Sequence, residues 1–313
     1  MAEAAANAAQ SCRLCGSTEG SIALRPEPFR LVRCRRCGLV RTEGGPLSSG
    51  PHYDDTYYSA HALADTIASL GNGPKGARAR LIDFAYSAYL DRAGSRLRRL
   101  ASLPVRNRLG GLPPRWLQGN DLLDVGSGDG DFLRRAGAAG FRVVGQEINP
   151  DAVASAQAMG VDVRLGELAD LGFRPGSFDA VRLWHVLEHV PEPLTMLQLA
   201  HRLLRPGGVL IIGVPDFDSP ARRLFGSRWS GLQLPFHRHH FTAATLRHAL
   251  LASHFRLRSL RHRSVGTIYS SLIGARRIPA LISAPAWLAC LGLDDLLDIL
   301  TQGDSLEALA IPA

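Results

Sequence analysis

Short apolar runs alternate with longer amphipathic stretches between residues 120 and 216. The apolar runs are "DLLDV", "VVGQE", "VDVRL", "FDAVRLW" and "VLIIGVP". Such runs are typical of strands in a parallel sheet, and the stretches between them have helical spacing. The helix over "PLTMLQLAHRLLRPGG" is expected to end at Pro206-Gly207-Gly208. The alternation predicts an α/β fold with a doubly wound, mostly parallel sheet, in which ligands bind at the carboxyl ends of the strands.

The pattern outside this region predicts three further segments. Residues 42–60 begin as a Gly/Pro/Ser linker and end in an aromatic and acidic stretch. Residues 76–103 predict an arginine-rich amphipathic helix, which "LPVRNRLGGLPPRW" then breaks. We therefore expect a tail and cysteine module over 1–50, a linker and helical cap over 51–119, a cofactor-binding core over 120–218, and a substrate-side segment over 219–313.

The first turn of the predicted sheet is rich in glycine. It reads Gly126-Ser127-Gly128-Asp129-Gly130, a G-x-G-x-G pattern that differs from the G-x-G-x-x-G of dinucleotide-binding proteins. Asp124 precedes the turn within the strand, and an acid at that place suits a cationic ligand. Glu147 ends the second strand, where a carboxylate can accept both hydroxyls of a ribose.

Four of the five cysteines form two C-x2-C pairs near the N-terminus. Cys12 and Cys15 are separated by 18 residues from Cys34 and Cys37. This spacing is typical of a zinc ribbon, in which four thiolates surround one tetrahedral ion and leave no open position, so the metal is expected to be structural. Two disulfides are the alternative, which a chain without a secretory signal disfavours.

The positive charge of the chain raises the question of whether it binds nucleic acid. The net charge is +8 and the sequence pI is about 9.8. Lys75 is the only lysine, and the arginines are scattered along the chain, so the excess indicates a compositional bias more than a binding surface. Nucleic acid is therefore disfavoured as a partner. The N-terminus "MAEAAANAAQ" lacks the features of a secretory signal, and we expect a cytoplasmic protein.

The segments "LLDVGSGDGDFL", "VVGQEINPDAV", "GELADL", "SFDAVRLWHVLEHVPEP" and "LLRPGGVLIIGVP" together resemble the class I S-adenosylmethionine-dependent methyltransferases. The four-cysteine module, "YYS" and "SPARRLFGSRW … LPFHRHHFTAATLRHAL" resemble bacterial methyltransferases found with polysaccharide, glycolipid and natural-product sugar pathways. The cysteine module is also similar to the zinc module of nucleotide-sugar C-methyltransferases.

The resemblance implies a Rossmann-like methyltransferase fold with seven strands. "FTAATLRHALL" would be the helix before the sixth strand, "FRLRSLRHRSV", and "GDSLEALAIPA" would be the seventh strand. The apolar insertion between these two strands, residues 272–300, is either a cap packed on the core or an interfacial segment that brings the protein to a lipid-linked substrate at the inner membrane face.

The resemblance also assigns the S-adenosylmethionine site. The implied cofactor-binding residues are Asp124, Gly126, Ser127, Gly128, Gly130, Glu147, Ile148, Glu167, Leu168, Leu183 and Trp184. In that family the residues at these positions hold the methionine part, the ribose and the adenine of the cofactor, or close over it.

The stretch "HVLEH" after the fourth strand permits three interpretations. On a helix, His185, Glu188 and His189 would share one face. They brace the turn, or His189 or His185 acts as a general base, or the group binds a divalent metal with a downstream histidine such as His237. His237 lies in "LPFHRHHFT" and is expected near the substrate side, so it joins His189 and His185 as a candidate catalytic residue.

The sequence thus predicts an enzyme that transfers a methyl group from S-adenosylmethionine to a small hydroxylated or sugar-like acceptor, by O- or C-methylation. The acceptor would be a small molecule or a lipid-linked glycan. Two alternatives are an RNA methyltransferase, suggested by the charge and the cysteine module, and a cofactor-binding module without catalysis.

Overall fold

A computed structural model describes residues 11–45, 84, 86–89, 110–264, 267–273, 290, 293, 296, 297, 300 and 302–313. The strands in this part of the chain are β1 (Gly20–Leu24), β2 (Arg30–Cys34), β3 (Val40–Glu43), β4 (Asp121–Val125), β5 (Arg142–Glu147), β6 (Val163–Leu165), β7 (Phe178–Trp184), β8 (Leu204–Pro215), β9 (His239–His240), β10 (Phe255–Arg263) and β11 (Ser305–Pro312). The helices are α1 (Asp131–Ala138), α2 (Pro150–Ala158), α3 (Pro193–Leu203), α4 (Pro220–Phe225), α5 (Ala243–Ala252) and α6 (Thr267–Ile273).

The larger sheet has seven strands in the order β10-β11-β8-β7-β4-β5-β6. The pairings from β8 to β6 are parallel, and β11 runs antiparallel to both of its neighbours. β10 therefore points in the same direction as β8. The order reverses at β4, whose carboxyl end is where open sheets of this kind bind ligands. The predicted seven-stranded, mostly parallel fold is confirmed.

The smaller sheet joins the N-terminal cysteine module to a strand more than 190 residues later in the chain. Its order is β1-β2-β3-β9, and every pairing in it is antiparallel. β9 comes from the segment 219–313, whereas β1 to β3 belong to the cysteine module. Cys12, Leu14, Cys34 and Leu39 are buried in the same hydrophobic cluster as Leu246 and Ala249 of α5. The module therefore packs directly on the hydrophobic core of the larger sheet.

The central strands are hydrophobic because helices cover both faces of the sheet. In β8 the residues from Val209 to Val214 are all buried. Leu123, Leu183 and Ile212 pack in one cluster, while Leu122, Ala180 and Ile211 pack in another. Successive residues of each strand point to opposite faces, so the near-continuous apolar runs noted in the sequence supply a core on each side.

The boundary between α3 and β8 differs from the prediction. The helix ends at Leu203, and the strand begins at Leu204, so that Pro206-Gly207-Gly208 lies within the strand. Proline disfavours the helical conformation of the residue before it, here Arg205, and has no N–H for a helical hydrogen bond. The helix consequently stops before the proline, and the register shifts between Phe178 and Ala180 of β7.

The predicted helix over 76–103 is described only at residues 84 and 86–89, which are helical. Tyr86 is buried and packs edge-on against Phe132, with 6.3 Å between ring centroids. The tyrosines of the aromatic stretch at the end of residues 42–60, which are Tyr53, Tyr57 and Tyr58, lie outside the described residues. Most of the apolar insertion over 272–300 lies outside them too. Among the helices that the structure describes, none has the length and apolar character needed to span a membrane.

Candidate active site

The turn between β4 and α1 is built from glycines with positive φ. Gly126, Gly128 and Gly130 have φ of 66°, 56° and 77°, a region that glycine occupies at little cost. A Cβ at Gly126 would lie 2.6 Å from Val186, so the turn closes against the residues that follow β7. A Cβ at Gly130 would lie 3.0 Å from Ala156, which lets α1 start close to α2. At Gly128 a Cβ would meet nothing within 4 Å, so the turn is open above this residue.

Glu147 is fixed at the end of β5 by backbone amides. Oε2 accepts a hydrogen bond from the Gly128 amide at 2.9 Å, and Oε1 accepts from the Ile148 and Asn149 amides at 2.7 and 3.0 Å. Hydrogen bonds from amides to a carboxylate are strong, and each carboxylate oxygen has capacity for about two donors. Glu147 is therefore held in one orientation beside the glycine turn, with acceptor capacity left on Oε2.

Gln146 of β5 ties the glycine turn to the loop after β6, a role that the sequence did not indicate. Its Oε1 accepts from the Gly126 amide at 3.2 Å, and its Nε2 donates to the Gly166 carbonyl at 2.6 Å. The neighbouring Ser127 amide donates to the Gln146 carbonyl at 3.0 Å. Ser127 Oγ is buried and has no hydrogen-bond partner among the described residues.

Asp124 forms a buried ion pair with Arg182 of the adjacent strand. The two residues are in register, and Arg182 Nη1 donates to the two carboxylate oxygens at 2.9 and 3.0 Å. Burial raises the pKa of Asp124, and the guanidinium opposes that rise. Arg182 also donates to the Gly111 carbonyl at 3.2 Å and lies 4.0 Å from the centroid of the Phe132 ring. The Asp124 carboxylate is thus engaged inside the protein by Arg182.

The remaining implied cofactor residues divide between the surface and the interior. Glu167 is exposed and Ile148 is half-buried, whereas Leu168 and Leu183 are buried in the core cluster. Trp184 is half-buried, and its ring lies within 5.2 Å of the Arg182 guanidinium. Of these side chains, those of Glu167, Ile148 and Trp184 are accessible at the carboxyl edge of the sheet.

The glycine turn fits the implied S-adenosylmethionine. An opening lies above Gly128, the unpartnered Ser127 hydroxyl can donate or accept, and Glu147 retains acceptor capacity for a ribose hydroxyl. The first turn of α1 presents the positive end of a helix dipole to the same place. These features offer polar contacts for a ribose and for the charged groups of an amino acid.

The residues after β7 form a turn, so His185, Glu188 and His189 do not share a helical face. His185 has a φ of 55°, and its amide donates to the Gly213 carbonyl at 2.9 Å. The His189 amide donates to the Val186 carbonyl at 3.0 Å, which closes the turn. His185 Nδ1 lies 3.2 Å from Glu188 Oε1, so this pair meets although no helix aligns it. The left-handed conformation at His185 reverses the chain before a helix can begin.

The tertiary structure brings the predicted histidines together. The rings of His189 and His237 are perpendicular, with centroids 4.6 Å apart. One ligand atom each from Glu188, His189 and His237 lie within 4.8 Å of one another. The Arg238 and His239 amides donate to the Glu188 carbonyl at 2.9 and 3.0 Å, which joins the two segments. We call Glu188, His189 and His237 the histidine cluster.

Backbone carbonyls orient the two imidazoles of the cluster. His237 Nδ1 is 3.0 Å from the Gly231 carbonyl, and His189 Nδ1 is 3.3 Å from the Phe236 carbonyl. A ring that donates Nδ1–H carries its lone pair on Nε2. His237 is completely buried, and this burial, with the nearby His189 and His240 rings, holds its pKa well below the usual value. His237 is therefore a neutral imidazole near pH 7.

Glu188 is the buried carboxylate of the cluster. Its side chain is 1% exposed, and its Oε2 has no hydrogen-bond partner among the described residues. A buried carboxylate oxygen without a partner is costly, so a proton, a hydroxyl group or a cation at this place would be stabilising. One carboxylate oxygen and two imidazole nitrogens are also a donor set that suits zinc or a similar transition metal.

Thr42 of the cysteine module holds the loop that carries His237. Its hydroxyl donates to the His237 carbonyl at 2.7 Å and lies 2.9 Å from His240 Nε2. Its amide donates to the Arg238 carbonyl at 2.9 Å. Thr42 is buried, and β3 pairs with β9 at Val40–His240 and Arg41–His239. The module therefore clamps the backbone next to the histidine cluster.

The four module cysteines converge as their spacing predicts. Cys12 Sγ lies 3.4 Å from Cys37 Sγ, and Cys15 Sγ lies 3.5 Å from Cys34 Sγ. All four are free thiols, and their sulfur atoms lie within 4.8 Å of one another. Bonds of about 2.3 Å from one central zinc ion to four sulfurs produce distances of this size between the sulfur atoms. The group therefore fits one tetrahedral ion.

A doubly wound sheet with order reversal at β4, a glycine turn after that strand and an acid at the end of the next strand define the class I methyltransferase fold. The family model described as "Methyltransferase domain" matches residues 89–260, more than half of the chain. The chain belongs to this family, and it carries the domain of an S-adenosylmethionine-dependent methyltransferase.

Two relatives with similar sequences each match part of the chain. A protein encoded in transposon Tn4556 of Streptomyces fradiae, called uncharacterized, is 38% identical over 109 residues, or 32% of each chain. The ubiquinone biosynthesis O-methyltransferase of Xanthomonas campestris pv. campestris is 34% identical over 134 residues, or 40% of this chain and 56% of the relative. The chain thus spans about a third and just over half of the lengths of these two relatives.

Solved structures of similar architecture include two S-adenosylmethionine-dependent methyltransferases. The protein from Mesorhizobium loti is 21% identical, with a TM-score of 0.45 over 67% of this chain and 96% of that one. The protein from Archaeoglobus fulgidus is 19% identical, with a TM-score of 0.47 over 70% and 95% of the two chains.

Proposed function

We propose that the protein transfers the methyl group of S-adenosylmethionine to a hydroxyl oxygen of a small, sugar-like or otherwise hydroxylated acceptor. The observation that carries this proposal is the histidine cluster at the carboxyl edge of the sheet, whose turn contacts the glycine turn through Val186 and Gly126. The relatives named as ubiquinone biosynthesis O-methyltransferases support oxygen as the methylated atom.

When bound, S-adenosylmethionine supplies a methyl group that its sulfonium has already activated. The chain then has two tasks: to hold the acceptor in line, and to remove the hydroxyl proton. Half-buried His189 is the proposed base, because its Nδ1 lies at the Phe236 carbonyl and its Nε2 can receive a proton. His237 and Glu188 would orient this imidazole, and His185 would brace Glu188.

The cofactor would be held by the glycine turn and by Glu147. In this proposal Gly126, Gly128 and Gly130 form the cradle, and Glu147 accepts a ribose hydroxyl on Oε2. Asp124 would act through Arg182, because the two side chains pair in the interior. Glu167, Ile148 and Trp184 offer accessible surface for the rest of the nucleoside.

We also propose that Cys12, Cys15, Cys34 and Cys37 bind one structural zinc ion. The four sulfurs converge, and three short strands with turns have too little apolar surface to fold by themselves. The ion would fix the turn before β1 and the turn between β2 and β3. Because β3 pairs with β9, it would also stabilise the loop that carries His237.

The test is transfer of labelled methyl from S-adenosylmethionine to pools of hydroxylated small molecules, nucleotide sugars and lipid-linked glycans. Once an acceptor is found, H189A should reduce kcat by about 10²–10⁴, because general-base catalysis contributes rate enhancements of this size. Affinity for S-adenosylhomocysteine should not change. H248A is the matched control, because His248 is exposed on α5.

Two results would contradict the base assignment. The first is unchanged turnover in H189A. The second is turnover that needs an added divalent cation after dialysis against a chelator, with the metal content of the cysteine site measured in parallel. The latter result would favour a cation held by the histidine cluster, whose unpartnered Glu188 Oε2 is the observation that makes this alternative worth testing.

A further inference from the structure

A cavity of about 400 Å³ opens at the carboxyl edge of the sheet, beside the end of β8. Asp216 follows β8 directly, and His262 lies near the end of β10, which points in the same direction. Both residues line the cavity, together with Asp218, Arg223, Thr242 and Arg247. His185, His189 and His237 are not among its described lining residues. The cavity is therefore a concave site, separate from these histidines, on the edge where sheets of this kind bind ligands.

The two carboxylates of the cavity already have partners. Asp216 is buried, and its Oδ1 accepts from the Asp218 amide at 3.0 Å while its Oδ2 lies 3.1 Å from His262 Nδ1. Asp218 forms an ion pair with Arg33 at 3.3 Å. The first carboxylate positions the His262 ring, which leaves Nε2 as the nitrogen available to a ligand. When His262 is protonated, Nε2–H donates into the cavity.

The two arginines of the cavity differ from the carboxylates. Arg223 and Arg247 are exposed, and neither forms an ion pair with another described residue. The cavity is also lined by Thr242 and Ala243, where α5 begins. The positive end of this ten-residue helix thus lies in the same wall as these two guanidinium groups.

We propose that this cavity binds an oxyanionic group of the acceptor, a phosphate or a carboxylate, through Arg223 and Arg247. The planar guanidinium forms paired, charge-assisted hydrogen bonds with both kinds of group. His262, held by Asp216, adds a third donor in its protonated form. The inference rests on the proposed function in one respect: the bound anion would belong to the acceptor that receives the methyl group.

The experiment measures anion binding by the full chain without methyl transfer. Inorganic pyrophosphate and, in a separate arm, succinate are titrated calorimetrically into the protein saturated with S-adenosylhomocysteine. The double variant R223Q/R247Q is compared with R202Q/R256Q, which removes the same charge from two exposed arginines outside the cavity. We expect at least a tenfold loss of affinity in the first variant and less than a twofold change in the second.

The two arms distinguish the kind of acceptor: preference for pyrophosphate indicates a phosphate-bearing acceptor, and preference for succinate indicates a carboxylate. Equal losses in both double variants would overturn the inference, because binding would then reflect only net charge. Absence of binding by the unmodified protein, or binding of Mg²⁺ in place of the anions, would overturn it too. Failure to bind S-adenosylhomocysteine would contradict the proposed function and not the anion site.

Discussion

The glycine turn and the histidine cluster lie at the same edge of the sheet, and they are assembled in different ways. The glycine turn, Gln146 and Glu147 come from one stretch of β4, α1 and β5, and most of their contacts join residues about 20 positions apart. The histidine cluster joins the turn after β7 to a loop 47 or more residues later, and Thr42 of the cysteine module clamps that loop. One site is nearly local, and the other depends on three distant segments.

This difference has a physical consequence. A local site forms whenever its strands and helix form, whereas a site built from distant segments also needs every contact that holds those segments together. We therefore expect damage to the cysteine module to disturb the histidine cluster and to spare the glycine turn. The predictions below test that separation, beginning with the largest expected effect.

Replacing Cys34 by serine should have the largest effect. It removes one of four converging sulfurs, and structural zinc sites supply much of the folding free energy of small modules. We expect C34S to lose bound zinc and to have a midpoint of thermal unfolding lower by at least about 10 °C, the shift produced by a loss of a few kcal/mol. Affinity for S-adenosylhomocysteine should fall by less than about threefold.

The measurements are metal content by mass spectrometry, thermal unfolding and S-adenosylhomocysteine binding by calorimetry, and hydrogen exchange at residues 237–241. R35S is the control, because Arg35 is an exposed neighbour of Cys34. If C34S keeps its metal and its slow exchange at 237–241, the module does not stabilise the cluster in the way that the β3–β9 pairing indicates.

A substitution in the glycine turn should weaken cofactor binding and leave the histidine cluster intact. In G126A the positive φ is strained, and the new Cβ would lie 2.6 Å from Val186. We expect affinity for S-adenosylhomocysteine to fall at least tenfold, with exchange at 237–241 unchanged. G160A is the matched control, because Gly160 has a φ of 75° and open space around it. Equal affinities in G126A and G160A would show that the turn tolerates the extra methyl group.

Thr42 tests the clamp without touching the cysteines. T42V keeps the shape of the side chain and removes the hydroxyl that donates to the His237 carbonyl. Leaving that buried carbonyl without this donor costs about 1–3 kcal/mol, so urea unfolding should show a loss of this size. T42S should retain most of the stability. A T42V protein as stable as T42S would mean that the hydroxyl contributes nothing to the fold.

The smallest effect is a pH dependence of stability. Burial lowers the pKa of His240 to about 3, below the value of about 6.5 in an unfolded chain. As pH falls, the unfolded chain binds a proton first, so the stabilising contribution of the neutral ring is complete above about pH 6.5 and declines from there toward pH 3. Between pH 6.5 and 5.5 the loss is about 1 kcal/mol.

Urea unfolding at these two pH values measures the effect. H240N should remove this part of the slope, although the variant will be less stable at both values. H248N, at an exposed histidine of α5, should keep the slope. A slope in H240N as large as in the unmodified protein would assign the pH dependence to other groups, such as His237, whose pKa burial also lowers.

Much of the fold could be predicted from the chain. The five apolar runs from 120 to 216 became β4 to β8, and the two C-terminal strands formed where expected. The misplaced boundary at the start of β8, before Pro206, has a local cause that is weak in sequence. There the restriction that proline places on the preceding residue outweighed a helical pattern.

Some parts of the candidate site could be predicted from the sequence, and others could not. The convergence of the four cysteines and the place of the glycine turn followed from spacing, because each is held by short chain segments. The Asp124–Arg182 pair, the Gln146 bridge and the contact of Thr42 with His237 were not foreseen. Each joins a side chain to a residue of another strand or loop, and a single sequence does not show which residues of separate segments lie next to each other.

The sequence by itself determined the class of this protein, because strand and helix periodicity, the glycine turn and the cysteine spacing are local properties of the chain. Only the tertiary structure decided that the cysteine module and β9 share one sheet, and that His189 meets His237 beside an unpartnered Glu188 oxygen. The physical reason is that these contacts depend on how separate elements pack. Packing is decided by the whole core at once and not by any segment alone.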